Sequence, residues 1–279
     1  MHLFETPKEA QSFSKSLTLT GKTIGFVPTM GALHDGHASL IKHAKNTCDH
    51  VVVSIFVNPL QFGPNEDFND YPRTLKADTT VCKSLDVDAI FFPKEDTLYK
   101  AIPPLTQVHV NTLSDQFCGK SRPQFFSGVT NIVLRLFNII QPTHAFFGEK
   151  DFQQSCIIKQ LINDLFLPIE LIRCPLVRES NGLALSSRNA YLSKQEVADA
   201  TSIYKSLTHI KTLLNQTPEL TSDMLLTEFR STLKSTINID YVSIVDSDTL
   251  ACVTHPQKGN RVLFAGFVGQ TRLIDNIEL

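Results

Sequence analysis

Two histidines stand three residues apart in FVPTMGALHDGH, residues 26–37, and each has ring nitrogens that can donate, accept or bind a metal. Three chemistries fit His34 and His37: metal ligation, a satisfied core position, or donation to phosphate oxygens. For a metal, no third histidine or carboxylate lies at ligand spacing, and the direction of the intervening Asp35 is open. For a core position, His37 heads the apolar stripe His37, Leu40, Ile41, Ala44, at helical spacing. For phosphate, the context counts: an apolar strand at 22–29, a turn at Gly31 and a helix starting near Gly36. Such a junction aims backbone N–H groups and a positive helix end at an anion. Imidazoles there can follow charge as it develops in phosphoryl or nucleotidyl transfer.

Three further clusters are rich in donors. FGEKDFQQ (147–154) sets Lys150 at a helix start, Asp151 at an N-cap position, and Gln154 on the face continued by Ile158, Leu161 and Leu165. LALSSRNAYLS (183–193) offers Ser186, Ser187 and Arg188, two hydroxyls and a guanidinium fork suited to phosphate. The long loop 58–73 carries Asn58, Gln61, Tyr71 and Arg73, whose amides suit hydroxyl or carbonyl groups of a small substrate. Together the histidines, Lys150, the serines and Arg188 make a cationic, donor-rich set that fits a polyphosphate. Neither GxxxxGK[ST] nor GxGxxG is present, which disfavours a Walker ATPase and an ordinary dinucleotide enzyme.

The elements that must position these residues alternate. Strands are predicted at 22–29, 50–58, 88–93, 144–148 and 169–177, with helices at 7–17, 36–48, 74–85, 128–142 and 151–165. That alternation predicts βαβ units and a Rossmann-like, doubly wound parallel α/β sheet over residues 1–176. Residues 177–279 read as a smaller α+β domain, with helices at 194–215 and 221–236 and strands at 240–246 and 261–269. Three clusters then fall at the carboxyl edge of one sheet and the fourth at the domain boundary, where ligands favour clefts.

Bulk properties narrow the class. The 279 residues carry a net charge of −2, which argues against nucleic acid as the main partner. No apolar run reaches the ~20 residues of a membrane span, and the N-terminus lacks the apolar core of a signal peptide, so the expected compartment is the cytosol. Six scattered cysteines without a CxxC pair read as buried free thiols, and no structural metal is expected.

Six stretches, in order, resemble the pantothenate synthetase (pantoate–β-alanine ligase) family of the HxGH nucleotidylyltransferase superfamily: PTMGALHDGH (28–37), SIFVNPLQF (54–62), YPRT (71–74), SRP (121–123), FFGEKDFQQ (146–154) and LALSSRNAYL (183–192). The resemblance spans essentially the whole chain. It implies ATP-dependent ligation of (R)-pantoate and β-alanine through pantoyl adenylate, with release of pyrophosphate and AMP. The resemblance also implies Mg2+ accompanying the ATP and a cytoplasmic homodimer. Residue by residue, it implies that Met30, Gly31, Ala32, Leu33, His34, Asp35, Gly36 and His37 line the ATP site, His37 as proton donor. Gly148, Glu149, Lys150 and Asp151 touch the nucleotide, and Val177 makes a backbone contact to adenine. Leu185, Ser186, Ser187 and Arg188 close over the triphosphate, while Gln61 and Gln154 hold pantoate and Gln61 also lies near β-alanine. The smaller domain is expected to close over ATP. Two readings compete: another HxGH nucleotidylyltransferase, which leaves FVNPLQF and GEKDFQQ unexplained, and an inactive nucleotide-binding regulator, which predicts erosion of His34, His37, Lys150 or Arg188. The chain departs from many members at FCG (Cys118 for glutamate), at Phe125 (for histidine) and at Leu185 (for methionine).

Overall fold

The computed structural model describes residues 1–64 and 66–279. Its strands are β1 (His2–Phe4), β2 (Ile24–Thr29), β3 (His50–Ile55), β4 (Ala89–Phe91), β5 (His144–Gly148), β6 (Glu170–Cys174), β7 (Ile237–Val245), β8 (Arg261–Val268) and β9 (Thr271–Glu278). The helices are α1 (Pro7–Thr18), α2 (Asp35–Thr47), α3 (Leu75–Ser84), α4 (Glu95–Leu98), α5 (Cys118–Ser121), α6 (Phe125–Ile140), α7 (Phe152–Asp164), α8 (Lys194–Gln216) and α9 (Ser222–Thr232). By backbone proximity the chain divides into two compact units, 1–149 with 154–175, and 150–153 with 176–279.

In the first unit the six strands form one parallel sheet in the order β1-β4-β3-β2-β5-β6. The order reverses between β2 and β5, the place where doubly wound sheets bind ligands outside their carboxyl ends. The β-branched run of β3 and the apolar residues of β2 are buried, as central strands covered on both faces require. Phe26 meets Phe137 of α6 edge-on at 6.3 Å.

Proline shapes the reversal. Ile24 donates to the Thr143 hydroxyl on the β5 side, so by alternation residue 28 should also point its N–H toward β5. Pro28 has no N–H to give. The ladder between β2 and β5 accordingly pairs Gly25 with His144 and Phe26 with Ala145, then stops, while pairing with β3 runs on to Thr29. The two central strands therefore part at the carboxyl edge.

The second unit is an antiparallel sheet, β7-β8-β9, covered by α8 and α9 around a core that includes Leu207, Ile210, Phe229 and Phe264. The predicted elements are found with shifts at their ends, and β9, the short β1 and the one-turn helices α4 and α5 are additional. β9 was hidden because Asp275 and Asn276, both 4% exposed, interrupt its apolar pattern. Five cysteines are buried and Cys252 is exposed. Burial pushes the thiols of Cys48 and Cys174 up to about 11 and that of Cys82 to about 12, which leaves them protonated and unreactive at neutral pH.

Candidate active site

The spacing of His34 and His37 is that of a helix cap. His34 occupies the N-cap of α2, and its Nδ1 accepts the Gly36 N–H at 3.1 Å. His37, three residues on, accepts the His34 N–H on its own Nδ1 at 3.3 Å. This reciprocal pair is a capping box built from imidazoles. A nitrogen that accepts a backbone N–H cannot carry a proton, so both neutral rings hold theirs on Nε2 and present it as a donor. The rings lie 4.1 Å apart, inclined at 39°.

The preceding turn corrects one expectation. Its backbone amides were expected to face an anion, but Gly31 donates to Thr29 Oγ1 at 3.1 Å. Ala32 and Leu33 donate to the Asp78 carboxylate, at 3.1 and 2.8 Å. Asp78 is 2% exposed and also accepts from the Thr74 hydroxyl. With φ +84, Gly31 adopts a left-handed conformation, and a Cβ there would sit 3.0 Å from Asp78 Oδ2. The glycine thus serves the turn, and these three amides are committed within the protein. Across the strand reversal, Gly148 closes β5 with Leu40 of α2 beside it, and a Cβ there would lie 3.9 Å from Leu40 Cδ2, an ordinary contact.

Gln61 lies at the end of a 3₁₀ turn, Pro59–Gln61, whose amide orientation is set from below. Asn58 is fully buried and donates from Nδ2 to Gln61 Oε1 at 2.9 Å and to Gly128 O at 3.1 Å. Its Oδ1 accepts from Tyr99 Oη at 2.9 Å and Leu60 N at 3.3 Å. Burial pushes the Tyr99 phenol up to about 12, keeping it a donor. Asn58, expected among the substrate contacts, has all its amide positions used, so its place is beneath Gln61. With Oε1 accepting from Asn58, the Gln61 amide is held by its oxygen, which leaves donation to Nε2. A Cβ at Gly128 would overlap the Leu60 carbonyl, so only glycine lets α6 approach this turn.

Arg122 holds the turn from the other side. It donates to Gln61 O at 3.0 Å and to Glu66 Oε1 at 2.6 Å, with a second bond to Glu66 Oε2. Its guanidinium lies 3.8 Å over the Phe125 ring. Phe125, a departure from the family pattern, thus has a role in this chain. Cys118 is buried at the start of α5. Of the other loop candidates, Arg73 donates to the carbonyls of Phe68, Asn69 and Tyr71, and Tyr71 packs edge-on against Phe62, so both staple the loop. Gln154 is half-buried on α7, in line with buried Ile158 and Leu161, whereas Leu165 lies past the helix end and is exposed.

In the second unit, Lys150 and Asp151 belong to a 3₁₀ turn, Glu149–Asp151, that runs into α7, and Lys150 Nζ is 3.4 Å from Asp151 Oδ2. Residues 177–185 form a small hairpin, in which Leu185 donates to Val177 O at 3.0 Å and Glu179 to Leu183 O at 2.8 Å. The hairpin delivers Ser186, whose Oγ caps the 3₁₀ turn Ser187–Tyr191 by accepting from Arg188 N at 3.3 Å. Asn189 ties the turn back by donating to Glu179 Oε1 at 3.0 Å and Ala184 O at 3.1 Å. Sequence reasoning missed Asp78, Tyr99, Arg122, Arg178, Asp275 and Asn276. Polar residues inside apolar runs, such as the Asp-Asn pair of β9, were the available signal. Among the described residues no three His, Cys, Asp or Glu side chains cluster to hold a metal ion.

With this geometry in place, comparison with known proteins gives one answer. Residues 2–278 match the family model described as pantoate-beta-alanine ligase. The pantothenate synthetase of Fervidobacterium nodosum is 45% identical over 279 residues, covering 99% of each chain. That of Clostridium botulinum strain 657 is 45% identical over 284 residues, covering 99% of this chain and 98% of its own. The crystal structure of pantothenate synthetase from Thermus thermophilus superposes with TM-score 0.93 at 38% identity, covering 100% of this chain and 99% of that one. The Francisella tularensis pantoate-beta-alanine ligase, crystallised with beta-gamma ATP and beta-alanine, gives TM-score 0.81 at 38% identity, covering 100% and 97%.

Proposed function

Because the chain belongs to the pantoate–β-alanine ligase family and is an ATP-dependent ligase of that kind, we infer that its residues carry the reaction through pantoyl adenylate. In the first half-reaction a pantoate carboxylate oxygen attacks the α-phosphorus of ATP and pyrophosphate leaves. In the second, the β-alanine amine attacks the acyl carbon, the C–N bond forms and AMP leaves. Neither step needs a covalent bond to the protein. What it needs is in-line positioning, positive charge around the phosphates and exclusion of water from a labile acyl phosphate.

The observation that carries this reading is the imidazole capping box at the strand reversal. It fixes two Nε2–H donors at the end of β2 without relying on solvent to orient them. His34 and His37 donate to phosphate oxygens, His37 as the proton donor to the departing group, with Met30, Ala32, Leu33 and Asp35 lining the nucleotide beside them. Gln61, held through Oε1 and donating from Nε2, receives the pantoate oxygens and the incoming β-alanine, and Gln154 holds pantoate from α7. Lys150 neutralises charge on the phosphates and Asp151 takes the ribose hydroxyls, next to Gly148 and Glu149. Val177 offers its backbone to adenine, and Leu185, Ser186, Ser187 and Arg188 cover the triphosphate. Residues 177–279 in this reading supply the part that closes over ATP.

Mg2+ enters as part of the substrate MgATP. Family membership supports a homodimer in the cytosol, and no helix among the described residues is long and apolar enough to cross a membrane. The test is release of AMP and pyrophosphate by the purified protein. Release that requires both pantoate and β-alanine is expected, and equal ATP consumption without pantoate overturns the reading.

A further inference from the structure

Two adjacent residues of β9 reach in opposite directions, as successive strand residues do. Asp275, 4% exposed, accepts both arms of Arg178 at 2.7 and 2.8 Å. The same guanidinium donates to Gly182 O at 3.0 Å and lies 3.8 Å over the Tyr204 ring. Arg178 stands at the root of the hairpin that leads to Ser186, and a bidentate, stacked guanidinium fixes orientation as well as position. Asn276, also 4% exposed, donates to the Lys150 carbonyl at 3.1 Å and accepts from Arg261 on Oδ1 at 2.7 Å. Arg261 in turn lies 4.1 Å over the ring of Phe152, two residues beyond Lys150.

Lys150 follows β5 in the chain, yet these bonds attach it to the C-terminal sheet. We propose that Asp275 and Asn276 are positioning residues that hold Lys150 and the Ser186–Arg188 turn in one frame, so that both meet the triphosphate together. The proposal rests on the reading of Lys150 and Ser186–Arg188 as nucleotide contacts. Burial supports it: a bidentate ion pair and a doubly bonded amide at 4% exposure are costly to place in a strand unless they fix something. Neither residue is assigned to substrate.

The two half-reactions separate a positioning role from a structural one. The first is read as pantoate-dependent exchange of labelled pyrophosphate into ATP, the second as pantothenate formation from supplied pantoyl adenylate and β-alanine. Asn276→Leu keeps the side chain's size and removes its amide. It is expected to lower exchange about tenfold or more and raise the KM for ATP, with aminolysis at the wild-type rate. Asp275→Asn is the second variant, with the same split expected, and it carries the test where Asn276→Leu does not fold. Equal loss in both half-reactions, loss in neither, or failure of both variants to fold overturns the proposal. Lys150→Ala tests the premise separately. If it leaves exchange intact, the reading of the nucleotide contacts fails. If it abolishes exchange while both β9 variants keep it, only the positioning role fails.

Discussion

An imidazole that caps a helix and also faces a substrate carries two roles on its two nitrogens, and substitution can separate them. His34→Asn retains an N-cap acceptor, since Asn is among the best capping residues, but removes the Nε2 donor. Its thermal stability should stay near wild type while adenylate formation falls by about 10²–10³, the usual loss for a donor aimed at developing charge. His34→Ala should show the same kinetic loss plus about 1 kcal/mol of stability. Denaturant titration beside AMP release checks both, and equal stability of the two variants would contradict the cap. At Phe125, replacement by Ala should loosen Arg122 and so the Gln61 turn, raising the KM for pantoate or β-alanine by up to about tenfold. Steady-state kinetics with ATP saturating reads this. The histidine spacing was legible as chemistry, yet the capping bonds were not, because a capping box is ordinarily written in Ser, Thr and Glu. Asn58 was legible only as a polar loop residue. Its burial depends on Tyr99 and Gly128, which are 41 and 70 residues away in sequence.

Elements are placed by what they lack as much as by what they carry. Pro28 lacks a donor, and the β2–β5 ladder ends before it. Gly128 lacks a Cβ, and α6 therefore touches the turn that bears Gln61. Gly128→Ala should push that turn away, costing about 1–3 kcal/mol of stability as overpacking does, and weakening pantoate binding more than ATP binding. Isothermal titration with each substrate distinguishes the two, and equal losses would contradict the placement of Gln61. The parallel sheet was readable because apolar runs such as HVVVSI (50–55) alternate with helical stripes at regular intervals. β9 was not, because its buried polar pair serves Arg178, Arg261 and Lys150, partners that no local pattern announces.

At the scale of the whole molecule, the first unit carries its candidate residues His34, His37 and Gly148 in or beyond the carboxyl ends of β2 and β5, and a separate network closes the amino edge of the same sheet. Asp88 there accepts from Val51 N at 2.8 Å, pairs with His50 at 3.0 Å and with Lys45 at 3.2 Å, while its carbonyl takes the His2 N–H at 2.8 Å. Burial raises its pKa, but the bonds from Val51, His50 and Lys45 outweigh that and hold the carboxyl below its ordinary value. A depressed carboxylate stabilises the fold above the unfolded value of about 4 and loses that contribution as pH falls through its lower folded value. Asp88→Asn should therefore cost about 1 kcal/mol near neutral pH, modest because the edge is partly open to solvent. The gap should shrink in urea titrations at about pH 3.5. A gap that widens in acid would contradict the assignment. Activity at neutral pH should be unaffected, since this edge lies opposite the candidate site. Activation of pantoate by transfer of the adenylyl group of ATP to its carboxylate leaves an isotopic record, which oxygen tracing reads. Turnover of pantoate labelled with 18O in its carboxylate, followed by mass spectrometry of the nucleotide product, should give AMP carrying one labelled oxygen and unlabelled pyrophosphate. Unlabelled AMP, or label in a phosphate product other than AMP, would contradict the account.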